Sequence, residues 1–516
     1  MLEQLRHSPR AGSIALVLAS GVLLGPMLVE FIGGALSALS HGAPPWPGLS
    51  IVIRTLAVSL LIGAAATGMG WFPARVLASR RAGRLGALCL VPLLMPPYLA
   101  YSGYSILRDP SWITGDWLES LSTRGHAWVT ISTGRALAIL GLALWAWPLS
   151  AFVLAAGMRG QGADDALRLD APPLRRVWER LLMHRAGIAG GVLVVALTAI
   201  GSAVPLHLAQ IDTVSIDLWR RMSESSPGRW GAVWLAGWPI VAAAVAGAMV
   251  TPRLVRRLAM DTPVESDSVC PSRRTRVAAW AAWLAATVFP LTLFILTIQS
   301  PRSLVEFWKL SGAGLWNGLR TAVGVAVVSG LLGLGVSYVI DMSRRPRTGL
   351  IGVVIGAWVF TAVIPGVFIG AALSRLGTSL PRGWADVLLI DAHLARFACV
   401  PMLVGAISAL SESPELCDLR QIEGTSGWGV WVRACLQRRV PVLAAALAAG
   451  IMGLHEIEAT TMLLPPGRDN LAQQILGYLH FSRMEEMSAA AVYLIGGGLL
   501  AGAGVSALLW RSWRRS

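Results

Sequence analysis

Apolar runs of about 20 residues recur from one end of this chain to the other, and a helix of that length crosses a bilayer core of roughly 30 Å. Inside a bilayer every backbone N–H and C=O has to be satisfied within the protein, so only helices and closed barrels can span it. The runs carry no period-two alternation, which excludes barrel strands and leaves helices. Composition agrees. Of 516 residues, 55% are hydrophobic and only 14% charged, and the mean hydropathy is +0.62. A soluble domain carries charge on about a quarter of its residues. The expected fold is all-α and polytopic.

A net charge of +15 suggests a nucleic-acid binder until its placement is considered. Lys309 is the only lysine, and the arginines gather in short loops on one side of the apolar runs. Examples are Arg80, Arg81 and Arg84, then Arg175, Arg176, Arg180 and Arg185, then Arg344, Arg345 and Arg347. This is the asymmetry that orients membrane proteins, with the basic loops inside. No basic, aromatic-interleaved soluble segment exists to hold nucleic acid. The five cysteines, Cys89, Cys270, Cys399, Cys417 and Cys435, all fall in expected spans or inner loops, which implies neither disulfides nor a cysteine metal site. Arg6 and Arg10 precede an apolar run from Ser13 to about Leu36, longer than a signal-peptide core and containing Pro26 and Glu30. It reads as an uncleaved first span.

Apolar runs set against arginine-rich loops give twelve spans with both termini cytoplasmic, over 12–36, 51–77, 85–107, 135–157, 186–209, 231–250, 278–299, 315–341, 349–373, 389–410, 441–464 and 488–510. Residues 251–277, polar and containing Pro and Ser, read as a linker between halves 1–250 and 278–516. The halves echo each other. Span 2 ends in Ser79-Arg80-Arg81 and span 8 in Ser343-Arg344-Arg345; Pro96-Pro97 interrupts span 3 as Pro365-Gly366 interrupts span 9. A long polar loop follows the fourth span of each half, at 158–185 and 411–440. Equal span numbers before each feature make the repeats parallel rather than inverted.

The two long loops, ADDALRLDAPPLRRVWERLLMHRAG and SPELCDLRQIEGTSGWGVWVRACLQRRVPVL, each read as a short helix, a small residue, a turn and a basic second helix running into the next span. Such a bracket on the cytoplasmic face suits docking into a soluble partner. Both resemble the Glu-Ala-Ala loops of binding-protein-dependent ABC permeases. In the first, the pattern falls on Asp165-Ala166-Leu167 and Ala171, with Leu181 and Met183 at the apolar positions and His184 in place of proline. In the second it falls on Asp418-Leu419-Arg420 and Gly424, with Ala434 and Leu436 and with Gln437 in place of proline. Residues 315–349 are similar to the second span of one such permease domain with its basic turn, and 91–104 resemble the next span in the ferric-iron branch. LHEIEATTMLLPPGRDNLAQQILGYLH (454–480) resembles the region after the second loop in fused iron(III)-type permeases, and 199–219 is its weaker counterpart.

The resemblance implies a fused pair of six-helix permease repeats in a cell inner membrane. Its partners would be two copies of a cytoplasmic ABC ATPase on the two loops and a periplasmic substrate-binding protein. The sole lysine, in Phe307-Trp308-Lys309-Leu310, has no glycine-rich P-loop around it, so ATP hydrolysis is expected in another subunit; this chain is expected to be no enzyme and to hold no cofactor. Ferric iron is the cargo implied, chiefly through Glu456-Ile457-Glu458-Ala459-Thr460 and Leu471-Ala472. Thiamine, a polyamine or an aminophosphonate are the alternatives, and an ion-gradient-driven secondary transporter is the alternative class.

Charge inside a span is costly and marks candidate pathway residues. Span 11 carries His455, Glu456, Glu458 and Thr460. At 100° per residue Glu456 and Glu458 point to different faces, so a regular helix makes no chelate of them. Glu456 and Thr460 fall where the iron-type family also has Glu and Thr. Glu30, Asp341, Asp391 and His393 lie near expected span ends, where the interface hydrates them.

Overall fold

The computed structural model describes residues 9–41, 46–79, 88–89, 91–158, 172–225, 230–260, 271–342, 348–410, 431–432, 440–464, 467–481 and 483–515. These residues contain helices and no strand. The first part of the chain forms α1 (Pro9–His41), α2 (Leu49–Leu77), α3 (Val91–Leu94), α4 (Pro97–Ser105), α5 (Ile113–Leu121), α6 (Ala127–Gly157), α7 (Pro173–Met183) and α8 (Arg185–Ile200). There follow α9 (Val204–Leu208), α10 (Val214–Glu224), α11 (Trp230–Ala236), α12 (Trp238–Met260), α13 (Arg273–Thr297) and α14 (Arg302–Met342). The remainder forms α15 (Thr348–Val363), α16 (Gly366–Gly377), α17 (Ala385–Phe397), α18 (Cys399–Leu410), α19 (Val440–Leu454), α20 (Glu458–Leu463), α21 (Leu471–His480) and α22 (Met484–Arg515).

Among the described residues six helices are long and apolar enough to cross a membrane, or up to eight if each of two bent pairs is one span. The pairs are α15 with α16, bent by 101°, and α17 with α18, bent by 49°. Several runs expected as continuous spans are therefore divided: 85–107 into α3 and α4, 186–209 into α8 and α9, 349–373 into α15 and α16, 389–410 into α17 and α18, 441–464 into α19 and α20. Proline explains two of the divisions, because its ring displaces the carbonyl one turn back and it has no N–H to donate. The expected linker is helical at both ends, since α12 runs on to Met260 and α13 starts at Arg273, where Ser272 Oγ accepts the Thr275 N–H at 3.2 Å.

The helices gather into two compact units that cut across the sequence halves. One unit comprises Met1–Trp46, Arg220–Ser266 and Leu319–Pro466; the other comprises Pro47–Trp219, Asp267–Gly318 and Gly467–Ser516. Thus α1 and α12 belong with α15 to α20, while α13 and α22 belong with α2 to α9.

Each unit is held by close backbone approach. Lipid tails are as apolar as leucine, so helices in a membrane gain little from burying more leucine and associate through small residues and hydrogen bonds. In the second unit a Cβ on Gly63 would lie 2.6 Å from the Val192 carbonyl, which sets α2 hard against α8. Ser150 Oγ there donates to the Ala66 carbonyl at 3.0 Å. In the first unit a Cβ on Gly333 would lie 2.6 Å from the Pro401 carbonyl, and Ser337 Oγ donates to the Gly405 carbonyl at 2.8 Å. Outward faces are apolar. On α1, Ile14, Leu18, Val22, Val29, Ile32 and Leu36 share one stripe and are all more than half exposed. Water would penalise that stripe, whereas acyl chains fit it.

Candidate functional site

The first unit contains two helix breaks that meet, and side chains take up backbone groups that the breaks set free. Between α15 and α16 the chain turns at Ile364-Pro365. Pro365 caps α16 in an extended conformation (φ −54°, ψ 139°), and the Ile364 carbonyl loses its helical partner. Arg396 Nη1, from α17, donates to that carbonyl at 2.8 Å. The next N–H, of Gly366, donates to Glu458 Oε2 at 3.0 Å. Gly366 cannot be larger: a Cβ there would overlap the Glu456 carboxylate and lie 2.9 Å from the Glu458 Cβ.

The second break, His455-Glu456-Ile457, separates α19 from α20. Glu456 Oε1 accepts the Ala459 N–H at 3.2 Å, and Glu456 Oε2 faces Arg396 Nε at 3.7 Å. Thr460 Oγ1 donates to the Glu456 carbonyl at 2.5 Å. With its proton committed there, Thr460 can only accept from His393 Nε2, 3.0 Å away, so Nε2 carries the hydrogen. The ion pair is deeply buried, its side chains 5% and 6% exposed, and Glu458, His393 and His455 are buried with it. Burying such ions costs several kcal/mol each before their attraction is counted. Two acids and one arginine therefore share a water-poor junction of three helices.

The structure revises two sequence expectations. Glu456 and Glu458 diverge on a regular helix, but the break at 455–457 brings both carboxylates to Gly366. His393 is 1% exposed rather than hydrated at a span end, and Asp341, 5% exposed, accepts from Trp431 Nε1 at 3.0 Å. Glu30 pairs with Arg375 at 3.6 Å. Glu456, Glu458 and Thr460 come together, joined by two residues the sequence reading missed, and His455 is buried in the same break. Arg396 carried a signal, being a lone cation in the run HLARFACVPMLV; Gly366 carried only its place after Pro365. Asp165, Ala166, Ala171, Asp418 and Gly424 lie outside the described residues. Of the first loop, α7 is described, with Trp178, Leu181, Leu182 and Met183 exposed, and of the second, residues 431–432 and the start of α19. Among the described residues no three His, Cys, Asp or Glu side chains come together to hold a metal ion.

The second unit contains two breaks of the same backbone form, built without charge. Pro96 caps α4 at φ −54°, ψ 140°, matching Pro365. The freed Met95 carbonyl accepts Trp145 Nε1 at 2.8 Å, the part Arg396 plays for Ile364. Pro97 stands where Gly366 stands and has no N–H to satisfy. Three residues, 201–203, separate α8 from α9, and Ala203 (φ −91°, ψ −44°) matches Ile457 (φ −96°, ψ −43°). Ser202 and Val204 stand where Glu456 and Glu458 do. An indole in place of a guanidinium needs no counter-ion, and a proline in place of a glycine needs no carboxylate. The break geometry itself does not require ions. No family model, curated protein or solved structure matches the chain.

Proposed function

We propose that this chain is the membrane-spanning subunit of a solute importer driven by a separate ATPase, built from two parallel six-span permease repeats with both termini cytoplasmic. The observation that carries the proposal is the matched pair of breaks, Pro96 with 201–203 and Pro365 with 455–457. Helices interrupted at membrane depth are how transporters bring backbone dipoles and polar side chains to a passing solute. The same arrangement in both sequence halves is what duplicated six-span domains would produce. The loops 158–185 and 411–440 are where two ATPase subunits would dock, and a periplasmic binding protein would deliver the cargo.

For cargo we favour ferric iron. Glu456 and Glu458 are hard oxygen donors on one side of Gly366, suited to passing contact rather than capture because protein groups already occupy them. A specific observation favours a second reading, an ion-gradient-driven transporter: Arg396, Glu456, Glu458 and His393 form a buried titratable group of the kind that couples solutes to ions. One experiment separates them. The chain is reconstituted with its ATPase, and uptake of labelled ferric iron is measured with binding protein present. Uptake that requires ATP supports the importer; uptake that follows an imposed ion gradient without ATP replaces it with the second reading.

A further inference from the structure

Within the first unit, four helices bring their ends together: α12, α14 and α18 near their last turns and α15 at its first. Between them lies a narrow cleft of about 30 Å³. Its floor is aliphatic, with Ala406, Ile355 and Val255 at most 5% exposed. Arg256, at the mouth, is the only polar side chain among the described lining residues. Arg256 makes no hydrogen bond or ion pair with another described residue, and among the described residues no acidic side chain lines the cleft.

The surroundings of the mouth identify the medium it opens to. Val353 on α15 is 68% exposed, and Met249 on α12 is 56% exposed. Such a surface faces acyl chains in a membrane-spanning protein. An apolar slot has nothing to hold water in place, while a methylene chain from the neighbouring bilayer fills it without losing hydrogen bonds. A guanidinium at the ends of spans lies at the depth of lipid phosphates, and basic pockets between spans select anionic headgroups. A soluble anion would satisfy Arg256 and leave the cleft empty. A lipid matches both parts.

We propose that this cleft is a binding site for an anionic phospholipid, with an acyl chain along Ile355 and Ala406 and the phosphate on Arg256. The proposal rests on the chain's being membrane-spanning and is independent of the importer reading. Purified full-length protein, stripped of lipid by detergent, is titrated with phosphatidylglycerol or phosphatidylcholine of the same acyl composition, and retained lipid is counted by native mass spectrometry. Wild type is expected to keep phosphatidylglycerol over phosphatidylcholine by about fivefold, and Arg256→Gln to lose that preference. Gly352→Leu fills the mouth and should lower retention of both lipids. A Cβ there meets Pro252 at an ordinary 3.6 Å, so the fold accommodates the start of the side chain. Arg253→Gln is the control: Arg253 is exposed, donates to the Met249 carbonyl at 2.7 Å and does not line the cleft. Helix content and elution volume must match wild type for every variant compared. Equal retention of the two lipids by wild type overturns the proposal. So does equal loss in Arg253→Gln and Arg256→Gln, which would mean diffuse surface charge, or displacement of the lipid by inorganic phosphate alone.

Discussion

Removing Arg396 should expose how the charged junction holds the first unit. Arg396→Met leaves the Glu456 carboxylate, 6% exposed, without its cation and the Ile364 carbonyl without its donor. Breaking a buried pair from one side costs roughly 3–5 kcal/mol, and a stranded carbonyl adds about 1–3 kcal/mol. The Arg396 Nε to Glu456 Oε2 distance of 3.7 Å is long for a hydrogen bond, which places the sum near its lower end, about 4 kcal/mol. Glu456→Gln strands the guanidinium instead and should cost about 3 kcal/mol, while keeping an oxygen for the Ala459 N–H. Changing both removes the charges together. The double variant should therefore lose less than the two single losses added, by a coupling of roughly 2–3 kcal/mol. Reversible unfolding in mixed micelles, run as a double-mutant cycle, reads this number. Coupling below about 0.5 kcal/mol means the two side chains act independently, and the junction described above is then not an ionic one.

Four further outcomes follow. Trp145→Phe strands the Met95 carbonyl at the uncharged break and should cost about 1–3 kcal/mol in the same assay, yet leave transport by the folded protein intact where Arg396→Met abolishes it; equal transport defects would remove the asymmetry between the breaks. Gly366→Ala forces a Cβ onto the Glu456 carboxylate and should lose about 2–3 kcal/mol, so a neutral alanine would contradict the packing. A bulky β-branched residue at Gly424 should uncouple ATP hydrolysis from transport more than one at Ala171, because Gly424 keeps the turn glycine, and the reverse order in an ATPase assay would refute that. Cysteines placed at 165 and 418 should react with impermeant thiol reagents only from the cytoplasmic side; labelling from outside ends both the topology and the importer.

The membrane class was legible in the sequence because it depends on run length and arginine placement, both local. So were the positions of the proline breaks. Their consequences were not. Helical periodicity assigns a face to each residue only while the helix continues, and nothing in LHEIEATT announces three residues of non-helical chain after Leu454. The wheel that separated Glu456 from Glu458 failed at that point. Arg396 was visible as a cation in an apolar run, but Ile364 and Glu456, which it meets in the fold, lie 32 residues upstream and 60 downstream. His393 looked interfacial because the expected span began at 389, whereas α17 starts at Ala385 and buries it a further turn in. The interleaving of the two packing units was beyond reach, since it concerns which helices meet and not which residues are apolar.

One helix has mechanical consequences of its own. α14 is 41 residues long without a break, about 60 Å at 1.5 Å per residue. That is twice the thickness of a bilayer's hydrocarbon, so a large part of it stands outside the oil or crosses it at a steep slant. A rod of that length is a lever. Tilting it by 5° sweeps one end about 5 Å past the other, nearly the pitch of a full helical turn. A small angular push applied at one end of the rod thus arrives at the other end as a displacement of about 5 Å.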